Sequence, residues 1–273
     1  VQIVDRAGDF VFPWSLVYIA SPWSNNGAAD VEKFWGWRYK LAILTDDLLD
    51  NYCQATTEIA TDEPLRIDAG LYERLVGSAE QRAFLASLKA LSRQRILPEI
   101  LTNRQSMVRS LAAADRDVYY FFCHGYTERI ATDIQLDADL LSCFARLASS
   151  VPDHESEPLR EHLDDLFDVS DSWMRLTRGK IPLTMLKEMV PGQFSQRPLV
   201  FLNMCESAQV LPSLSDGFVP FFIRRGARGV IGTECSMTTL FADDFARAFL
   251  SRLFQGEAVG DTLLSLRRHY LDQ

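Results

Sequence analysis

Apolar residues along this chain gather into short runs of two kinds, and each kind predicts a different element. Val118-Tyr119-Tyr120-Phe121-Phe122-Cys123 and Leu199-Val200-Phe201-Leu202 are unbroken and rich in strand-forming residues, the pattern of buried strands. Further strands are expected at Tyr39 to Leu44, Thr56 to Ile59, Pro64 to Ala69, Arg95 to Ile100, Ser172 to Leu176 and Val230 to Thr233. Between them, apolar positions recur at helical spacing. Phe84, Leu85, Leu88 and Leu91 form a stripe within Ala79 to Leu91, and Met107, Val108 and Leu111 one within a helix capped by Asn103. Leu140, Leu141, Phe144 and Leu147 mark a helix over Asp137 to Ala148. Pro182 to Met189 and Gly217 to Arg225 read as shorter helices, the latter capped by Ser213 to Asp216 and ended by Gly226. Strands alternating with helices predict an α/β three-layer sandwich, a mostly parallel central sheet flanked by helices.

The two strongest strands end on reactive side chains. One stops at His124-Gly125, the other at Cys205-Glu206-Ser207. In an open parallel sheet, chemistry gathers outside the carboxyl ends of the strands, so an imidazole base and a thiol nucleophile can meet there despite their separation in sequence. Gly125 has no side chain to keep its N–H from a reacting carbonyl oxygen, and the amide of Cys205 would be a second donor. Each residue also has a plainer use. A buried cysteine at a strand end serves as a small hydrophobe, and a histidine before a glycine as a structural residue.

A strand ending in His-Gly followed later by Leu-Val-Phe-Leu-Asn-x-Cys-Glu-Ser resembles the CHAT family of caspase-like cysteine peptidases, grouped with caspases, separase and gingipains. Phe12-Pro13-Trp14-Ser15-Leu16-Val17-Tyr18 is similar to the opening of such domains, and Phe34-Trp35-Gly36-Trp37-Arg38-Tyr39 to the segment after it. Gly226-Ala227-Arg228-Gly229-Val230-Ile231-Gly232-Thr233 resembles the strand following the nucleophile, and Phe241 through Phe254 to Gly256, then Asp261 to Arg268, the closing helix. The resemblance implies a single caspase-like domain over residues 1–273, with an N-terminal half (1–115) and a catalytic half (116–273) that holds an acidic insertion at about 126–170. It implies a cysteine endopeptidase with His124 as base, Cys205 as nucleophile and Gly125 in the oxyanion hole, needing no metal or organic cofactor. Met204 stands where the family usually has a small Ala, and Cys123 where a small residue is common.

Asn203, Met204 and the loop residues Glu234, Cys235 and Ser236 are the expected substrate-binding positions. In caspase-like folds that loop lines the pocket for the residue before the cut bond. Members that cut after Arg carry acidic residues there, and caspases, which cut after Asp, supply arginines. With only Glu234 charged, a neutral or apolar residue is expected at that position, a basic one being the alternative. No third member is assigned to the dyad; Asp133, Asp171 and Glu206 are candidates for orienting His124 or the substrate.

Composition narrows the remaining choices. The chain has 28 basic against 37 acidic residues, a net charge of −9, which argues against direct nucleic-acid binding. No run is long enough for a transmembrane helix, and the chain opens on no signal segment. Five cysteines without framework spacing suit a reducing, cytoplasmic setting, and the absence of Cys-x-x-Cys or His-x-x-x-His argues against structural zinc. The start at Val1 fits a domain cut from a longer protein.

The insertion contains Val151-Pro152-Asp153-His154-Glu155-Ser156-Glu157-Pro158, then Glu161, Asp164, Asp165 and Asp168, with His154 and His162 taken as exposed. Such a stretch is either a solvated surface loop or one that gates the cleft or docks a partner. Arg224, Arg225 and Arg228 form a small basic spot, read as a helix C-terminus answering its own dipole rather than a phosphate site. Gly226-x-x-Gly229-x-x-Gly232 enters a strand from a helix, the reverse of the dinucleotide-binding order. CHAT domains tend to be effector ends of larger proteins, joined to helical-repeat or ligand-sensing partners in bacterial defence, including CRISPR-linked systems, and the resemblance extends that expectation to this chain with a protein as substrate. The alternatives are an inactive caspase-like scaffold for protein binding, and a cysteine amidotransferase, against which Asn203 and Ser207 stand at the glycine positions of a Gly-x-Cys-x-Gly elbow.

Overall fold

The computed structural model describes residues 2–5, 31–45, 65–91, 96–126, 172–190, 192–204, 217–233 and 237–271. In chain order its elements are β1 (Gln2–Asp5), α1 (Trp35–Arg38), β2 (Ala42–Thr45), β3 (Leu65–Leu71), α2 (Ser78–Leu91), β4 (Ile96–Leu101) and α3 (Arg104–Ala113). There follow β5 (Val118–Phe122), β6 (His124–Tyr126), β7 (Trp173–Leu176), β8 (Gly179–Pro182), α4 (Leu183–Met189) and β9 (Leu199–Asn203). The last are α5 (Phe218–Arg224), β10 (Gly229–Ile231), α6 (Thr239–Leu253) and α7 (Val259–Leu271).

The two apolar runs become β5 and β9, buried at every position. Only interior strands covered on both faces can hide such sequences, and they lie side by side in a parallel five-stranded sheet of order β4-β3-β5-β9-β10. The chain steps from β3 outward to β4, then back past β3 to β5 and onward to β9 and β10. Right-handed crossovers therefore send α2 to one face and the later crossover helices to the other.

Side-chain alternation divides the interior in the same way. Tyr119, Phe121, Val200 and Leu202 pack with α3, α4 and α5, while Val118, Tyr120, Phe122 and Phe201 pack with α2, α6 and α7. The protein is thus an α/β three-layer sandwich. In α2, Leu85 and Leu88 of the expected stripe are buried; Met107, Val108 and Leu111 do the same in α3.

A second, antiparallel sheet of order β6-β7-β8 continues from the end of β5. Its inward side chains Met174, Leu176 and Ile181 join the core beneath α3 and α4. Its β7–β8 turn is tied to the ends of β3 and β4, with Arg178 N–H donating to Thr102 O (2.8 Å) and Thr177 N–H to Leu71 O (3.3 Å). The helix expected from Pro182 begins at Leu183, and Gly179–Pro182 before it form β8. Gly179, at φ +108°, takes the left-handed turn that closes the hairpin against Arg104.

The first strand pair stands apart from the main sheet: β1 and β2 pair in parallel, and β1 is not among the expected strands. The segment before β2 docks on α7, whose Arg268 donates to Trp37 O (2.9 Å) and lies over the Trp37 ring. Two members of the expected basic spot make backbone ties. Arg225 donates to Lys187 O (3.3 Å) near the end of α4, and Arg228 to Arg197 O and Gln196 O. The strand at Thr56 to Ile59, the helix at Asp137 to Ala148, the acidic insertion from 127 onward and the caps at 213–216 lie outside the described residues.

Asn103 caps α3 as expected, its side chain accepting from Gln105 N–H (2.8 Å). Asn103→Ala is expected to lower stability by about 1 kcal/mol and Asn103→Asp to keep most of it, as read by urea unfolding.

Candidate active site

The site is built where β5 and β9 end together. Their register sets Val118 against Leu199 and runs to Phe122 against Asn203. One residue further, Cys123 and Met204 still touch, with the two sulfurs 3.9 Å apart in the core. Met204 O accepts from the Thr233 hydroxyl, which draws the chain beyond β10 to the same level. Cys123 is buried and forms no disulfide.

His124 follows at once and is exposed, where β5 gives way to β6. Its ring lies 5.0 Å from that of Tyr72, the planes tilted by 59°. Tyr72 is the residue after β3, held by its N–H to Phe122 O (3.0 Å). Arg175, the cross-strand partner of His124, reaches over the other ring, with Cζ 5.8 Å from the Tyr72 centroid. Gly125 pairs with Met174 in the same ladder. Three elements from distant parts of the chain thus frame the imidazole.

Asn203 and Met204 are 2% and 3% exposed. Both side chains, expected at a substrate-binding position, support the strand end from inside. A two-residue period turns Met204 into the core under α5 and Asn203 towards α6. Cys205, Glu234, Cys235 and Ser236 lie outside the described residues, as do Asp133, Asp171 and Glu206.

Asn203 belongs to a buried polar network that links both strands to two helices. Its Nδ2 donates to Ala242 O (2.9 Å) and to the Tyr120 hydroxyl (3.3 Å). That hydroxyl donates to Gln81 Oε1 (3.0 Å), and Gln81 Nε2 donates to Asp243 Oδ1 (2.7 Å). Arg247 closes the chain by donating to both Asp243 oxygens, at 3.2 and 3.0 Å. Burial pushes the Tyr120 phenol far above its ordinary range, against the opposing effect of the Asn203 hydrogen bond, so it stays a hydroxyl able to donate and accept at once. Asn203 Oδ1 has no donor among the described residues.

Sequence reasoning identified His124 and missed Tyr72, Arg175 and the network. Tyr72 was findable as the residue at which a parallel strand ends beside His124's strand. Gln81 and Asp243 carry no such mark, being polar positions on otherwise amphipathic helices. Among the described residues, no cluster of His, Cys, Asp and Glu is arranged to hold a metal ion, and no helix is long and apolar enough to cross a membrane.

Chemically, the described part of the site offers an accessible imidazole at the carboxyl edge of a parallel sheet, beside an arginine. The contribution of the network beneath it is testable. Tyr120→Phe strips Gln81 of its donor and is expected to cost about 1–2 kcal/mol in denaturant unfolding. Gly77, at φ +90°, approaches so closely that an added Cβ would lie 2.8 Å from Asp243 Cβ. Gly77→Ala is therefore expected to cost about 1–3 kcal/mol, by strain and by pushing Asp243 off Gln81. No family model, no curated protein and no solved structure matches this chain.

Proposed function

We propose that the chain is a cysteine endopeptidase of the caspase-like CHAT kind, with Cys205 as nucleophile and His124 as base. The observation that carries the reading is the register of β5 and β9. Phe122 and Asn203 are level, and His124 and Cys205 each follow two residues later in sequence. Were the strands to run on in step for that distance, imidazole and thiol would share one edge, and the Cys123–Met204 contact supports the first step of such a continuation.

In the proposed reaction His124 takes the Cys205 proton and the thiolate adds to a peptide carbonyl. The amides of Gly125 and Cys205 hold the resulting oxyanion. Collapse breaks the C–N bond as the imidazolium gives its proton to the leaving amine. Water, deprotonated by His124, then hydrolyses the thioester and releases the new carboxyl end. The resemblance further supports a regulated effector, acting on a protein and answering to a sensing or helical-repeat partner in a defence system.

The test is cleavage of a proteome extract, with new N-termini read by mass spectrometry, for the wild-type chain in its full-length context and for Cys205→Ala and His124→Ala. Each variant should lose at least about 10³-fold in rate, and the double variant should be no worse than either, because the pair acts as one unit. Cuts that persist in Cys205→Ala would overturn the assignment. So would their absence from the wild-type chain with candidate activators added.

A further inference from the structure

We propose that Arg104 and Arg178, with Arg74 beside them, form a binding site for the phosphate group of a small phosphorylated molecule. The site lies at the corner of the sheet where β3 and β4 end, and it does not rest on the peptidase reading. Backbone ties draw three segments together there. Arg104 N–H, at the start of α3, donates to Arg178 O (3.1 Å), and Arg178 N–H donates to Thr102 O (2.8 Å) just after β4. Glu73 N–H donates to the Thr177 hydroxyl (2.8 Å), so Arg74 and Arg178 each follow one member of a hydrogen-bonded pair. Gly179 leaves a gap along which the Arg104 stem runs, with Cδ and Nε each 3.7 Å from where a Cβ would stand.

Positive charge is left uncompensated at this corner. Arg74 and Arg178 are exposed and Arg104 is half-buried, and among the described residues no carboxylate pairs with any of the three. Arg66, Arg82, Arg116 and Arg247, by contrast, each hold one. Glu73, next to Arg74 in the chain, is engaged by Arg82. The first turn of α3 has no acidic residue, and an arginine there opposes the helix dipole. The Gln105 and Ser106 N–H groups are taken by the Asn103 side chain, so guanidinium groups are the donors on offer. In a chain with 37 acidic against 28 basic residues, unanswered charge of this kind is a local conflict, and such conflicts gather at functional sites.

The chemistry selects phosphate. Each forked guanidinium offers parallel N–H donors to two phosphate oxygens, and a phosphate of about −1.5 to −2 charge answers two such groups where a single carboxylate answers one. The surroundings select a small molecule over a polypeptide. β4 is the edge strand beside the site, and Pro98 within it has no N–H with which to seat an added peptide strand. The stretch 127–171 leaves and re-enters the small sheet at Tyr126 and Trp173, at the opposite end of β7 from this turn. A bound phosphate would join α3 to the β7–β8 hairpin, and so to the ladder in which Arg175 faces His124.

The test titrates the chain with tripolyphosphate and with inorganic phosphate, by calorimetry at low ionic strength. Arg104→Gln with Arg178→Gln should weaken binding of both at least about tenfold, and Arg74→Gln about threefold. Arg104→Lys with Arg178→Lys, which keeps the charge and loses the fork, should fall between wild type and the Gln pair. Arg109→Gln, which removes an exposed arginine from another face of α3, should leave binding unchanged. Tripolyphosphate should also raise the unfolding midpoint of the wild-type chain and not that of the Gln pair. No binding by the wild-type chain, an affinity unchanged in the Gln pair, or an equal loss with Arg109→Gln overturns the proposal. A phosphoserine peptide bound more tightly than free phosphoserine through the same arginines overturns the assignment to a small molecule.

Discussion

The pairing of β5 with β9 is the constraint on which the rest depends. Both strands are too apolar to tolerate solvent on either face, so helices must cover the sheet from both sides. Once the strands are interior and parallel, their carboxyl ends fall at one edge, and register fixes which residues meet there. A slip of one residue would exchange the two faces of a strand, driving Asn203 into the apolar layer under α5 and Met204 into the polar network. The hydrophobic pattern thus fixes the relative height of the two strand ends.

The network beneath the site adds a second kind of specification. Apolar contacts between sheet and helix vary little with small rotations of the helix, whereas a carboxylate bonded by both Gln81 and Arg247 accepts one arrangement. Asp243 therefore sets α2 and α6 against each other, and Tyr120 and Asn203 set both against the sheet. Such a network adds little net stability, because its members give up water to form it. Its contribution is to uniqueness, at the level where the strand ends must be held still.

The legible and illegible parts of the structure separate along physical lines. Strands β5 and β9 were readable because a run buried on both faces leaves its mark on every residue. Helix α3 was readable because its cap and its stripe are local. The β7–β8 hairpin was only half visible: Ser172 to Leu176 reads as a strand, while Gly179-Lys180-Ile181-Pro182 is too short to show alternation. At the site, His124 stood out by its place at a strand end. Arg175 did not, because its importance comes from the residue opposite it, and antiparallel register across a long connection is absent from the local pattern. The same holds for Gln81, whose partners are 39 and 162 residues away.

Register at the mouth of the acidic stretch has a further consequence. Tyr126 and Trp173 are directly paired across β6 and β7, so the chain leaves the small sheet and re-enters it at neighbouring positions. Residues 127–171 hold 12 acidic and 3 basic side chains, so the charge imbalance of the whole chain, −9, resides within this excursion and the remainder is electrically neutral. An excursion that begins and ends at one cross-strand pair imposes no geometric demand on the sheet that carries it. A lineage could lengthen, shorten or exchange it without redesigning the core, making this the place where a common architecture would acquire a distinct electrostatic character from one relative to the next.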